Sequence, residues 1–161
     1  MTTIALTPIG VIRTPYQTVE GMPIQPAGAA DTLGRVELND EYVNGLKDLD
    51  GFSRIILIYQ FHQSAGYDLI VKPFMDDTTR GLFSTRAPRR PNPIGISIVE
   101  LLQVEANTLH VVGIDVLDGT PLLDIKPYVP RFDSFPEAAI GWMTGKDRNA
   151  RALKADKRFK S

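Results

Sequence analysis

A single, predominantly β domain is what this sequence predicts, on three observations. Short apolar runs rich in β-branched residues recur along the chain. Gly, Pro, Asn and Asp punctuate them in the way that turns between strands require. The length of 161 residues suits one core that buries roughly two-thirds of the unfolded surface, and no repeat, low-complexity tract or linker divides it. The expected organisation is one domain over 1–145 followed by a basic segment over 146–161.

In chain order, strands are expected at 4–13 (IALTPIGVIR), 33–39 (LGRVELN), 54–62 (RIILIYQFH), 67–73 (YDLIVKP), 94–105 (IGISIVELLQVE), 108–118 (TLHVVGIDVLD) and 122–129 (LLDIKPYV). The runs 94–105 and 108–118 flank a two-residue Ala-Asn link, a hairpin signal that places Val104 near Leu109. Helix is scarcer. Val43, Leu46 and Leu49 mark one short helix within 40–52, with Gly51 as its stop,. A second, basic helix is expected over 145–160, with a thin apolar stripe at Ala150, Leu153 and Ala155,.

Composition excludes several classes of function. Hydrophobic residues at 43% and charged residues at 23% match an ordinary globular protein. No apolar run spans a bilayer, and the N-terminus lacks the order of a signal peptide, so a cytoplasmic protein is expected. With no cysteine, disulfides, thiolate metal sites and cysteine nucleophiles are excluded. His62 and His110 are the two histidines, too few for a multi-histidine metal centre, and no metal is expected. G-x-S-x-G, G-x-G-x-x-G and P-loop patterns are absent, which argues against hydrolase elbows, dinucleotide-binding Rossmann units and nucleoside triphosphatases. Charge is uneven: residues 1–145 hold 11 basic and 17 acidic side chains, residues 146–161 hold 7 and 2. The basic end suits either a polyanion or a solvated helix face.

Loop chemistry collects in four stretches, 15–30, 84–95, 116–121 and 126–138, which suggests one rim that assembles a site,. In STRAPRRPNPIGIS (84–97), Arg86, Arg89 and Arg90 sit among Pro88, Pro91 and Pro93. Three neighbouring guanidinium groups repel one another, so something anionic compensates: a carboxylate or phosphate ligand bound bidentately, or acidic residues of the same domain such as Asp115, Asp118 and Asp124. Proline stiffens the loop and lowers the entropy lost on binding. Asn92, between two prolines, offers its amide to the loop or to a ligand. On a strand over 122–129, Asp124, Lys126 and Tyr128 share one face. That face is either solvated surface or an acceptor, cation and phenol set against a substrate. His62, at a strand end, is either a structural group or a base.

Taken together, IGVIRTPY (9–16), FHQ (61–63), GLFSTRAPRRPNPIGIS (81–97) and DVLDGTPLLDIKPYVP (115–130) resemble the motifs of the TrmO (YaeB-like, TsaA-like) family. The resemblance runs in order over about residues 4–135. It implies a β-barrel methyltransferase of non-Rossmann type, usually homodimeric, that uses S-adenosyl-L-methionine to methylate the exocyclic amine nitrogen of threonylcarbamoyladenosine beside the anticodon of tRNA. It further implies that Gln25, Pro26, Ala27, His62, Gln63, Arg86, Ile96, Gly113, Ile114, Asp115, Leu117 and Asp118 surround the cofactor. Asp124, Lys126 and Tyr128 would then face the acceptor nucleotide, with Asp124 or a water it holds as the proton acceptor. Arg89, Arg90 and Asn92 would hold tRNA phosphates or the carboxylate of the base. Longer relatives carry an additional C-terminal domain, and this chain is expected to be a short form without it. That keeps two alternatives open: a methyltransferase of the same fold acting on another acceptor, and a non-catalytic RNA-binding barrel.

Overall fold

Strict alternation of exposed and buried residues from Ile94 to Leu102 begins the longest strand among the described residues, β6 (Ile94–Glu105), whose register with its neighbour shifts between Leu101 and Gln103. Gly95, Ser97, Val99 and Leu101 point inward, and the β-branched residues between them suit an extended backbone. Around it, in the computed structural model, which describes residues 1–18, 20, 30–74 and 76–146, five further strands form β1 (Gly10–Arg13), β2 (Leu33–Leu38), β3 (Arg54–Gln60), β7 (Thr108–Val112) and β8 (Thr120–Pro127). They close in the order β1-β2-β7-β6-β3-β8, every neighbouring pair antiparallel. The fold is therefore mainly β, a closed barrel with few short helices, as expected. Closure leaves no open sheet edge, and the interior is filled by Ile12, Val36, Leu57, Val99, Leu109 and Leu122, all fully buried.

The β6–β7 hairpin has the expected register, Val104 opposite Leu109. Ala106 in its turn takes φ 53, the left-handed conformation that tight hairpins demand. The strand expected over 108–118 stops at Val112, because Gly113 at φ +92 turns the chain out of the sheet. The strand expected over 4–13 pairs only from Gly10, and Ile4 and Leu6 before it are exposed. The run 54–62 is strand to Gln60. Of 67–73, Ile70–Val71 (β4) pairs with Arg80–Gly81 (β5) in a small separate sheet.

The helix expected within 40–52 forms as two 3₁₀ stretches, Asp40–Leu46 and Leu49–Gly51. Val43, Leu46 and Leu49 recur every third residue, which fits three residues per turn better than 3.6, and Asp48 at φ 68 separates the two pieces. A four-residue helix, α1 (Pro130–Asp133), follows β8. Of the basic helix expected over 145–160, all but its first two residues lie outside the described residues.

Register brings several segments to one end of the barrel. Strand β3 leaves there at Gln60, opposite Ile94 where β6 enters, and Ile12 of β1 lies opposite Thr120 of β8. The 113–119 loop and the turn at His62–Gln63 share that end.

Candidate functional site

Thr14, just past β1, fastens this end. Its amide donates to Asp118 Oδ1 at 3.1 Å and its hydroxyl to the Val116 carbonyl at 2.7 Å, while Asp118 N–H donates to the Tyr16 carbonyl at 2.8 Å. Arg13 stands 3.8 Å from the second Asp118 oxygen. Asp118 is thus spoken for by the loop it closes. Gly113 N–H donates to the Thr32 carbonyl at 2.9 Å, and Ile114 is fully buried, so 113–118 is a packed loop.

Beneath this loop lies a buried polar chain. Tyr59 and Ser97 point into the barrel from β3 and β6, 3% and 1% exposed. Their hydroxyls are 2.8 Å apart, and Ser97 Oγ donates to Asp115 Oδ1 at 2.6 Å. Room for the Tyr59 ring exists because its cross-strand partner is Gly95: a Cβ there would fall 2.3 Å from a ring carbon. Phe61 packs edge-on against the same ring, centroids 5.5 Å apart. Burial pushes the Asp115 carboxyl up to about 6, and the Ser97 hydrogen bond and the Arg86 charge pull against that rise. Burial, then the Asp115 charge, push the Tyr59 phenol well above its ordinary range.

Arg86 therefore lies within electrostatic reach of Asp115 and Tyr59. The other two arginines of its loop turn toward carbonyls. Arg90 Nη1 donates to the Thr85 and Ala87 carbonyls at 3.0 and 3.1 Å, and its guanidinium lies 5.7 Å from the Phe83 ring centroid. Arg89 Nε donates to the Ala65 carbonyl at 3.1 Å, and its Nη1 sits 3.6 Å from Asp68. Of the intramolecular anions considered for this cluster, Asp115 feels Arg86, whereas Asp118 and Asp124 are paired with Arg13 and Lys126. Asn92 is exposed, and its carbonyl accepts the Ile94 amide at 2.7 Å.

Asp124 and Lys126 form an ion pair at 2.8 Å on the outside of the barrel, and that contact raises the Lys126 ammonium. Across the sheet Ile58 is flanked by Asp124 on β8 and Ile96 on β6, and Ile56 by Lys126 and Ile98. Tyr128 follows β8, its amide donating to the Arg54 carbonyl at 3.1 Å, at the far end from His62. Ile94, Ile96 and Ile98 are 42%, 49% and 36% exposed.

The expected site residues thus divide. His62, Gln63, Arg86, Asn92 and 113–118 gather at the barrel end, with Ile96 beside them on the outer face; Asp124, Lys126 and Tyr128 run away from them along that face. Gln25, Pro26 and Ala27 lie outside the described residues. Sequence reasoning passed over Tyr59 and Ser97, whose signal is the pairing of Tyr-x-Phe with Gly-x-Ser on neighbouring strands. It also passed over Trp142, which fastens the C-terminal segment to Ser84. Among the described residues no cluster of His, Cys, Asp or Glu suits a metal ion, and no helix is long and apolar enough to cross a membrane.

A family model described as the tRNA-methyltransferase O N-terminal domain matches residues 11–134. A probable S-adenosyl-L-methionine-binding protein of Pyrococcus abyssi is 47% identical over 152 residues, covering 94% of this chain and 83% of that one. The tRNA (adenine(37)-N6)-methyltransferase of Escherichia coli is 36% identical over 144 residues, covering 83% of this chain and 61% of that one. The crystal structure of TrmO from Pseudomonas aeruginosa superposes with a TM-score of 0.74 at 39% identity, covering 88% of this chain and 63% of that one. The chain therefore spans less than two thirds of the length of the last two proteins.

Proposed function

The chain belongs to the tRNA-methyltransferase O family, and from that membership we propose that it is an S-adenosyl-L-methionine-dependent methyltransferase. Its acceptor in this reading is the exocyclic amine nitrogen of threonylcarbamoyladenosine beside the anticodon of tRNA. The observation that carries the reading is the Asp115 carboxyl, held by Ser97 at one barrel end and within electrostatic reach of Arg86, inside the matched domain. S-adenosyl-L-methionine bears a carboxylate and two cationic groups, so it needs opposite charges side by side; Arg86 fits the carboxylate and Asp115 fits a cation or a hydroxyl pair. Asp118 has its oxygens engaged by Thr14 and Arg13, which leaves Asp115 the better candidate.

When bound, the cofactor supplies an electrophilic methyl group. The protein's part is orientation, because holding reactants close and aligned supplies most of the rate in such a displacement. Ile96 and the Gly113–Asp118 loop hold one partner, and the outer-face residues Asp124, Lys126 and Tyr128 hold the other. Asp124, or a water held by it, takes the proton that the nitrogen must lose. A homodimer fits this arrangement, since a second copy would cover the exposed Ile94, Ile96 and Ile98 and close the outer face over the acceptor.

Calorimetric titration with S-adenosyl-L-methionine tests the reading, with Arg86→Ala in parallel and then methylation of tRNA carrying threonylcarbamoyladenosine. Saturable binding lost in the variant, followed by methyl transfer, is expected. Binding without transfer to tRNA would select another acceptor. Binding of tRNA without the cofactor would select an RNA-binding barrel.

A further inference from the structure

We propose that Tyr59 and Ser97 are positioning residues: their hydroxyls form a directed chain that holds Asp115 as an anion at the barrel end, and so govern how well the cofactor site accepts a cationic ligand. The proposal rests on the cofactor reading above. Its structural half can be tested without it.

Three features set the direction of the chain. A serine hydroxyl has one proton to donate and lone pairs to accept with. Ser97 spends its proton on Asp115 Oδ1 at 2.6 Å, a short contact of the kind a charged acceptor produces. It must then accept from Tyr59, 2.8 Å away. The order is Tyr59 to Ser97 to Asp115, with no choice left while the carboxylate is ionised.

The fold spends scarce space on this chain. Ser97 stands on β6 between inward-facing Gly95 and Val99, where an apolar side chain would otherwise be favoured, since a buried hydroxyl is costly unless hydrogen-bonded. Gly95 gives up its side chain so that the Tyr59 ring fits. The groups that set the charge on Asp115 are Arg86 from the arginine loop, Ser97 from β6 and the Asp115 backbone itself, all opposing burial; Tyr59 from β3 is the other titratable neighbour and stays neutral. With the carboxyl at about 6, loss of one opposing group moves it toward neutrality at physiological pH.

The test follows Asp115 by carbon-13 NMR titration in cofactor-free protein, for wild type, Ser97→Ala, Tyr59→Phe and Ser97→Thr. Calorimetric affinity for S-adenosyl-L-methionine is measured over the same range, from about pH 5 to about pH 9. In wild type both curves turn near the Asp115 midpoint, with affinity falling on the acid side as the carboxylate is protonated. Ser97→Ala shifts both midpoints upward by about one pH unit and weakens binding several-fold at neutral pH. Tyr59→Phe, which keeps the ring, shifts them less, and Ser97→Thr, which keeps a hydroxyl, restores the wild-type midpoint. Unmoved NMR midpoints in Ser97→Ala and Tyr59→Phe would overturn the proposal. So would shifted NMR midpoints with an unshifted affinity profile. Absence of binding at every pH overturns the cofactor reading instead, and the NMR midpoints still decide whether the hydroxyls control Asp115.

Discussion

Trp142 Nε1 donates to the Ser84 carbonyl at 2.8 Å, tying the C-terminal segment to the residue from which the arginine loop departs. Arg80 lies 5.3 Å and Lys146 6.0 Å from the same indole ring, and both cations pair with Asp76, Lys146 at 2.9 Å. The last described residues therefore clamp the base of the loop that carries Arg86. Trp142→Ala is expected to cost about 1–3 kcal/mol of stability from the lost hydrogen bond and cation–π contacts. Trp142→Phe, which keeps a ring, should cost less. Urea melts check this; equal melts for wild type and Trp142→Ala would mean that the clamp contributes nothing.

The same clamp has an acid limit. Lys146 and Arg80 hold the Asp76 carboxyl well below its ordinary range. A carboxyl depressed in the folded state contributes stability that is complete above its unfolded value, 3.8, and is lost as pH falls from there. Asp76→Asn should therefore lower the melting temperature at neutral pH and converge with wild type only in strong acid. Melting curves that stay parallel down to about pH 2 would locate the acid sensitivity elsewhere.

Asp115 behaves in the opposite sense. Its carboxyl ionises near 3.8 when unconstrained and at about 6 in the fold, so the folded state holds more protons across that window. Stability then falls as pH rises through it, and above about pH 6 the penalty approaches 2–3 kcal/mol. Asp115→Asn still offers an oxygen to Ser97 and carries no charge. Chemical denaturation should find it more stable than wild type at about pH 8, with affinity for S-adenosyl-L-methionine lost, the trade expected of a strained functional group. A variant less stable than wild type at that pH would show the carboxylate to be a net structural asset.

The two arginines at the extremes of the loop should separate in their effects. Arg90 satisfies the Thr85 and Ala87 carbonyls, so Arg90→Ala leaves half-buried acceptors unpaired, at about 1–3 kcal/mol, and lowers the melting temperature and every affinity together. Arg86 acts on Asp115 through its charge, so Arg86→Ala should weaken S-adenosyl-L-methionine binding with little change in melting temperature. Identical melting shifts in both variants would return Arg86 to a structural role.

Much of this was readable from the chain, for physical reasons that also mark where reading stopped. The β6–β7 register was legible because strand alternation and a two-residue link leave little freedom: sliding Val104 off Leu109 would turn an entire apolar face to water. Barrel closure was not, because the pairing of β1 with β8 joins segments more than a hundred residues apart, and no local pattern encodes it. The arginine loop was legible as a cluster of charge and proline. That Arg89 and Arg90 would bend back onto the Ala65, Thr85 and Ala87 carbonyls was hidden, since backbone acceptors carry no residue signature. Tyr59 and Ser97 escaped notice for a related reason: each sits in an apolar run as an ordinary strand residue, and only cross-strand register brings them to Asp115.

The outer face joins the remaining expectations. Ile58 separates Ile96 from Asp124 in one row across β6, β3 and β8, and neighbouring strands stand about 4.8 Å apart. A cofactor seated at Ile96 and an acceptor at Asp124 would thus lie within about 10 Å along the sheet, on a surface that one chain leaves open. Asp124→Asn preserves shape and removes the carboxylate proposed as the proton acceptor. It is expected to lower kcat by about 10²–10⁴-fold while leaving the affinity for S-adenosyl-L-methionine intact, because Asp115 and Arg86 at the barrel end are untouched. Single-turnover methylation of tRNA alongside calorimetric binding separates the two quantities. An unchanged kcat would move the proton to solvent or to His62; a parallel loss of affinity would place Asp124 in the cofactor site, and the outer face would then be one continuous pocket instead of two facing subsites.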